Sequence, residues 1–426
     1  MRTLILGAAV SGAAAAVLAA RLGHEVSIYD RSSKSTIPLR DKGYAVHSGT
    51  WTDRLLAGVD LVVASPGFPE HSDPVQHALA GGVEVISELE FGTQQLTAPY
   101  VAVTGTNGKT TVTSTITDML MESGIAAVSA GNIGTPVSGL SDNTAAVVVL
   151  EASSFQLRFI DRFRPVAAGI VNVAADHLDW HGSVSAYWSA KARIFENMRS
   201  SDVVVYGADD PGATEIAAAA QCRITGVSGV SISDDGVGPI RGSLQIGGTV
   251  FAVPTTDPSW LTDLGIAAVM ASSVGATNAG IATVLAGFEP GLHRRRTVGT
   301  ERGITWIDDS KATNPHAARA AAEAYESVVL LAGGRNKDLD LSTIAPASVR
   351  HVVAFGEAAP SIATGVETAV TVVDDLASAV ETANRLAVSG DTVLLAPGCA
   401  SFDEFDSYAL RGERFAELVA ALETAK

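Results

Sequence analysis

The stretch Val103-Thr104-Gly105-Thr106-Asn107-Gly108-Lys109-Thr110-Thr111 holds the residue types and spacing best suited to chemistry. An apolar strand from Tyr100 to Val103 runs into a turn with two glycines, and a helix should start near Lys109. Backbone N–H groups of such a turn converge on one point, and with the positive helix end they make a polyphosphate site. Lys109 would add a point charge on the β/γ-phosphates, and the Thr110 hydroxyl would hold Mg²⁺. The general Walker pattern places glycine where Val103 stands, so this is a variant loop of the form Gly-Thr-Asn-Gly-Lys-Thr. The bland alternative is a glycine turn capping a surface helix.

Other candidates stand at strand ends. Ala145 to Leu150 reads as a buried strand ending in Glu151, where a carboxylate could hold Mg²⁺ or simply cap the next turn. A strand from Ala167 to Val171 leads into Asn172 and on to Asp176-His177, and by itself His177 reads as a satisfied loop histidine. Tyr187 to Met198 reads as a helix in which Lys191 sits among small and apolar residues; a lysine there is most often solvated. His293-Arg294-Arg295-Arg296 is the one dense basic cluster, and a phosphate-facing Arg294 is favoured over a solvated charge run once a nucleotide site is near. Gly7-Ala8-Ala9-Val10-Ser11-Gly12 is a damaged dinucleotide fingerprint with Ala9 for its second glycine. Asp30 ends the next strand, where it could bond a ribose or base edge or serve as an ordinary strand-end residue. Ser65-Pro66-Gly67-Phe68-Pro69 follows a further strand at the same sheet edge.

The elements that must position these residues alternate short β-branched runs with Ala-rich or amphipathic segments, the pattern of parallel sheets covered by helices. Three blocks are expected: 1–97, 98–290 and 291–426. Strands are expected at Leu4 to Leu6, Val26 to Tyr29, Leu61 to Ala64 and Val83 to Ile86 in the first. The third should have them at Ile304 to Ile307, Val328 to Leu331, Val352 to Phe355, Thr371 to Val373 and Thr392 to Leu395, with its last helix inside Phe402 to Leu422. Hairpins are expected between Gly226 and Val253. A hydrophobic fraction of 47% suffices for several cores. With 46 acidic against 29 basic residues the net charge is −17, which disfavours general binding of nucleic acid or anionic membrane. Anionic ligands must therefore meet local positive groups. Two cysteines, Cys222 and Cys399, exclude a disulfide framework and a cysteine zinc site, and a reducing cytoplasm fits. The uncharged run Thr3 to Ala20 is broken by Gly7 and Gly12 where a strand should turn into a helix, so it reads as a β-α-β start rather than a targeting segment. No other stretch is long and apolar enough to span a bilayer.

Together these loops resemble the Mur ligases, ATP-dependent amino-acid-adding enzymes of peptidoglycan synthesis, over essentially the whole chain. The broad signals are Gly105 to Thr110, the Glu151 strand end, Asp176-His177 and His293-Arg294. More specific are Gly131-Asn132-Ile133-Gly134, Glu151 to Gln156, Asp309-Ser310-Lys311-Ala312-Thr313-Asn314, Gly333 to Lys337 and Ala396 to Phe405. The resemblance is greatest to the D-glutamate-adding branch. It implies an α/β protein of three domains: a Rossmann-like N-terminal domain, a central P-loop ATPase-like mononucleotide-binding domain and a Rossmann-like C-terminal domain.

It also implies roles. Ser11, Asp30, Arg31 and Gly67 would bind the UDP end of UDP-N-acetylmuramoyl-L-alanine, with Asn132, Ser153, Gln156 and His177 along the muramoyl path. Gly105, Thr106, Asn107, Gly108, Lys109, Thr110 and Thr111 would hold the ATP phosphates and a first Mg²⁺, with Asp263, Arg294 and Asp309 completing the ATP site. Glu151, His177 and Lys191, carbamylated by CO₂, would surround a second Mg²⁺. Lys311, Thr313, Lys337, Ser401 and Tyr408 would receive D-glutamate, whose two carboxylates call for cations. A monomer is expected, with no nucleic acid partner and no membrane insertion. Ser259-Trp260-Leu261-Thr262-Asp263 departs from the family's usual adenine-side motif, which leaves Asp263 as the contact expected there. The alternatives are a Mur ligase for a diamino acid, a P-loop kinase or NTPase, and a nucleotide sensor without turnover. The last two leave Asp309 to Asn314 and Ala396 to Phe405 without a purpose.

Overall fold

A computed structural model describes residues 1–140 and 144–424. The chain forms two compact units, one of Met1–Val173 with Trp180–Phe288, the other of Ala174–Asp179 with the chain from Glu289 onward. The first unit opens with five parallel strands, β1 Arg2–Leu6, β2 Glu25–Asp30, β3 Ala45–Ser48, β4 Leu61–Ala64 and β5 Glu84–Ser87, in the order β3-β2-β1-β4-β5. Four of these match the sequence expectation. The third, Ala45–Ser48, was not expected: its alternation is thin, and its side chains are mostly exposed.

A second parallel sheet in the same unit holds β6 Tyr100–Thr104, β7 Ala127–Gly131, β8 Val147–Glu151, β9 Ala167–Ile170, β10 Val203–Gly207 and β11 Arg223–Val227, in the order β11-β10-β9-β6-β8-β7. Strand periodicity explains its two cores. Val101, Val103, Val147 and Val149 join one buried cluster, while Ala102, Val148 and Leu150 join the cluster on the opposite face. The expected hairpins are a three-stranded antiparallel sheet, β12 Gly238–Ile240, β13 Ser243–Ile246 and β14 Thr249–Ala252.

The second unit carries β15 Arg296–Glu301, β16 Ile304–Asp308, β17 Val328–Gly333, β18 Val349–Phe355, β19 Val370–Val372 and β20 Thr392–Gly398, ordered β15-β16-β20-β17-β18-β19. Only β15 runs antiparallel to its neighbour. It was missed because the arginine-rich start of Arg296–Glu301 reads as a loop. Here too Val328, Leu330 and Ala332 serve one face and Val329 and Leu331 the other. The last helix is Tyr408–Thr424. No helix among the described residues is long and apolar enough to cross a membrane.

Candidate active site

The helix Lys109–Glu122 begins at the expected residue. Its N-cap, Gly108, has φ +80°, and a Cβ there would stand 2.6 Å from Oδ1 of Asp263 and 2.7 Å from Val171. Glycine is thus required both by the left-handed backbone and by close packing. The loop is braced from β9's end, since Thr106 N–H donates to the Asn172 carbonyl (2.9 Å) and Asn107 N–H to Asn172 Oδ1 (2.8 Å). Lys109 Nζ folds back onto the carbonyls of Gly105 (2.9 Å) and Thr106 (3.0 Å). Thr110 and Thr111 lie in the first helical turn, half-buried. Asp263 is buried, with its carboxylate against the loop glycine.

Glu151 pairs in register with Val103, so parallel pairing delivers its carboxylate beside the start of the loop. It is buried; Oε1 accepts the Asn132 Nδ2–H at 2.7 Å, and Oε2 has no hydrogen-bond partner among the described residues. A buried carboxylate oxygen left unpaired is costly, and a hard cation is the partner it fits. The capping role belongs instead to Ser153, whose side chain and that of Gln156 close a capping box on the turn Ser154–Leu157. Ser153 and Gln156 are therefore buried and paired with one another, Ser153 Oγ donating to Gln156 Oε1 at 2.8 Å. Asn132, expected on the muramoyl path, orients Glu151.

The helix around Lys191 differs from expectation. It spans Val184–Ala192, started by the Ser183 N-cap, and gives way to a 3-10 turn at Arg193–Phe195. Arg193 explains the break: its guanidinium donates to the carbonyls of Arg158 and Ile160 and draws the chain onto that turn. Lys191 is not solvated. It is 1% exposed, donates to the Gly105 carbonyl at 2.7 Å and stands 4.5 Å from the centroid of Tyr187. Tyr187 in turn meets the Thr106 hydroxyl at 3.1 Å.

At the first sheet's edge, Gly7 N–H donates to the Tyr29 carbonyl, and a Cβ on Gly12 would lie 1.9 Å from the Gly7 carbonyl. The second glycine's replacement, Ala9, merely precedes the helix Val10–Arg21. Asp30 uses both carboxylate oxygens on the N–H groups of Ala8 and Ser32, each at 2.8 Å, which fixes the first turn. Arg31 stands 5.8 Å from the ring centroid of Phe68, the residue that follows exposed Gly67 in the chain. Ser11 is half-buried in the same rim.

The second unit gathers the rest. His293 Nδ1 lies 2.6 Å from Asp308 Oδ2, and Arg295 N–H reaches Asp309 Oδ1 at 3.3 Å. Burial pushes the Asp309 pKa up to about 6, against the opposing pull of Arg295 and Arg294. Lys311 Nζ lies 3.7 Å from the Tyr408 ring centroid. Arg335 and Ala400 exchange backbone hydrogen bonds of 2.8 and 3.0 Å, zipping the Lys337 loop to the Ser401 loop. Thr313 is half-buried and Ser401 buried. Lys337 Nζ contacts Asp176 Oδ1 at 2.9 Å, and Asn314 Nδ2–H donates to Asp176 Oδ2 at 3.2 Å.

His177 has φ +52° and belongs with this unit, whereas Glu151 and Lys191 belong to the other. Among the described residues no group of three His, Cys, Asp or Glu side chains could hold a metal by itself. Sequence reading gives no role to Asp176, Asn314 or Tyr187, although the first two lie in the motifs quoted above; the structure bonds Asp176 to Lys337 and Asn314, and Tyr187 to Thr106. The carboxylate beside His177 is a usable signal for Asp176.

Three family models match the chain in order. They are the Mur ligase MurD-like N-terminal domain over 1–87, the Mur ligase middle domain over 103–246 and the Mur ligase glutamate ligase domain over 293–399. A relative from Desulfosudis oleivorans, UDP-N-acetylmuramoylalanine–D-glutamate ligase, is 37% identical over 99% of this chain and 96% of its own length. The chain belongs to the Mur ligase family.

The same-named proteins of Frankia casuarinae and Mycobacterium bovis are 38% and 35% identical, each over at least 98% of this chain and 94% or more of their own. Among solved structures, the chain is similar in fold to UDP-N-acetylmuramate-alanine ligase from Thermotoga maritima. That protein has a TM-score of 0.57 and 18% identity, with full coverage of both chains. A pseudomurein peptide ligase type C from Methanothermus fervidus gives 0.61 and 16%, with 99% of each chain covered. The family's three-domain α/β architecture is thus the one expected from the sequence.

Proposed function

We propose that this Mur ligase joins the free carboxylate of UDP-N-acetylmuramoyl-L-alanine to the amine of D-glutamate in peptidoglycan precursor synthesis, with ATP going to ADP and phosphate through an acyl phosphate. The near full-length similarity to relatives of that name supports the reading. The observation that carries it is the phosphate loop flanked by Glu151, whose buried Oε2 has no hydrogen-bond partner among the described residues; the other unit, taken by itself, carries Lys311 and Lys337.

A carboxylate does not accept an amine until one oxygen becomes a leaving group, and phosphoryl transfer makes it one. That transfer is largely positioning and charge neutralisation. The loop Gly105 to Gly108, whose Thr106 and Asn107 amides are held by Asn172, and the helix end at Lys109 to Thr111 would hold the phosphates, and the Lys109 ammonium would leave its loop carbonyls for the β/γ-phosphates. Two Mg²⁺ ions would be held by Thr110 and by Glu151, His177 and carbamylated Lys191, and would supply charge neutralisation at the transferring phosphoryl group. Buried Lys191 suits that modification, because an ammonium beside a divalent cation is repelled, whereas a carbamate offers it hard oxygens. Asp263, Arg294 and Asp309 complete the ATP site.

Ser11, Asp30, Arg31 and Gly67 would receive the UDP end at the carboxyl edge of the first sheet, with Asn132, Ser153, Gln156 and His177 toward the muramoyl end. Lys311, Thr313, Lys337, Ser401 and Tyr408 would receive D-glutamate. Two lysines favour an acidic acceptor over a diamino acid, whose distal amine would want a carboxylate. The protein would work as a cytoplasmic monomer with domains at 1–97, 98–290 and 291–426.

Phosphate release from ATP should require both UDP-N-acetylmuramoyl-L-alanine and D-glutamate. Release with nucleotide alone would sink the ligase reading, and turnover with a diamino acid in place of D-glutamate would move the chain to another branch.

A further inference from the structure

Arg411 sits in the helix Tyr408–Thr424, yet it is only 1% exposed. Its hydrogen bonds among the described residues go to uncharged oxygens. Nε donates to Ser310 Oγ at 3.0 Å, and Nη2 donates to the carbonyls of Ser310 (3.0 Å) and Cys399 (3.2 Å). Nη1 is buried with no hydrogen-bond partner among the described residues, and it lies 3.1 Å from where a Cβ on Gly334 would stand. Burial pushes the guanidinium pKa down to about 10, a sign of what keeping this charge dry costs.

Docking the helix does not require that cost, because Phe415 and Val419 of the same helix already join the core. An apolar side chain would serve docking as well or better. What the guanidinium offers is a rigid plane with donors at fixed angles. Those donors reach Ser310, in the loop with Lys311 and Thr313, and Cys399, in the loop with Ser401. The third edge faces Gly334, in the loop with Lys337. Ser310 Oγ closes the arrangement by donating to the Tyr408 carbonyl at 2.7 Å.

We infer that Arg411 is the positioning residue of the acceptor pocket, its fork fixing the spacing of the three loops that carry Lys311, Thr313, Lys337 and Ser401. This rests on the D-glutamate reading above. It makes Arg411 a determinant of how far apart two acceptor carboxylates are recognised, and therefore of selectivity between D-glutamate and the shorter D-aspartate.

Arg411→Lys keeps the charge and loses the fork. It should raise KM for D-glutamate by about tenfold or more, leave KM for ATP and for the UDP substrate within about twofold, and narrow the D-glutamate to D-aspartate preference. Ser310→Ala, which removes one acceptor of the fork, should move the same parameters in the same direction by about threefold, and decides the question if the arginine variant does not fold. Unchanged KM for D-glutamate in a folded variant would overturn the inference. So would an equal rise in all three KM values alongside a lowered melting temperature, the mark of a purely structural role. Wild-type protein that releases phosphate without D-glutamate would overturn the parent reading first, and the inference with it.

Discussion

The Lys337 ammonium lies 2.9 Å from Oδ1 of Asp176, joining residues far apart in sequence inside one compact unit. Burial works to raise the Asp176 pKa, but Lys337 and His177 outweigh it and leave the carboxyl below its usual range. The pair holds the cation proposed for the acceptor in a defined place.

Lys337→Ala should raise KM for D-glutamate far more than KM for ATP. It also strands a buried carboxylate, so unfolding should ease by about 3 kcal/mol in denaturant titrations near neutral pH. Equal effects on both KM values would remove Lys337 from the acceptor site. Because the Asp176 pKa is depressed, that stabilisation is present above the ordinary value of 3.8 and is lost as pH falls through the lower folded value.

Lys191→Ala should abolish turnover, and added acetate should restore part of it by supplying carboxylate oxygens where the carbamate stood. Full activity of the unsupplemented variant would reject the carbamate. The Lys191 contact with Gly105 makes a loop effect expected as well, readable as weaker nucleotide binding without acceptor.

Gly108→Ala combines a positive φ with a Cβ 2.6 Å from Asp263 Oδ1. Such a change should cost about 2–4 kcal/mol of stability and most of the ATP-dependent activity. Wild-type melting behaviour and KM for ATP would show that the loop relaxes around the methyl group.

Asp309 titrates in the opposite sense to Asp176. Its folded pKa of about 6 exceeds the ordinary 3.8, so between those values the folded state binds more protons than the unfolded one. Stability attributable to this group should therefore fall as pH rises from 4 to 6. Asp309→Asn should remove that slope in chemical denaturation curves; an identical slope in the variant would assign it to other carboxylates.

Much of this protein is determined locally and is legible in its sequence. The short apolar runs at Val101 to Val103 and Val328 to Ala332 give strands buried on both faces, and two glycines before Lys109 give a turn and a helix start. Its place at a strand end marks Glu151 as a candidate, and the family-like motif Gly333 to Lys337 marks Lys337. What only the tertiary structure decided is where polar side chains spend their hydrogen bonds. Ser153 and Gln156 cap a turn, Asn132 steadies Glu151, Asp30 holds its own loop, and Lys191 is buried against Gly105. Arg411 could pass for a solvated helix residue until the loops at Ser310, Gly334 and Cys399 close over it. The physical reason is range: propensity and periodicity act over a few residues, whereas a buried charge is satisfied by groups that only the completed sheet brings within 3 Å.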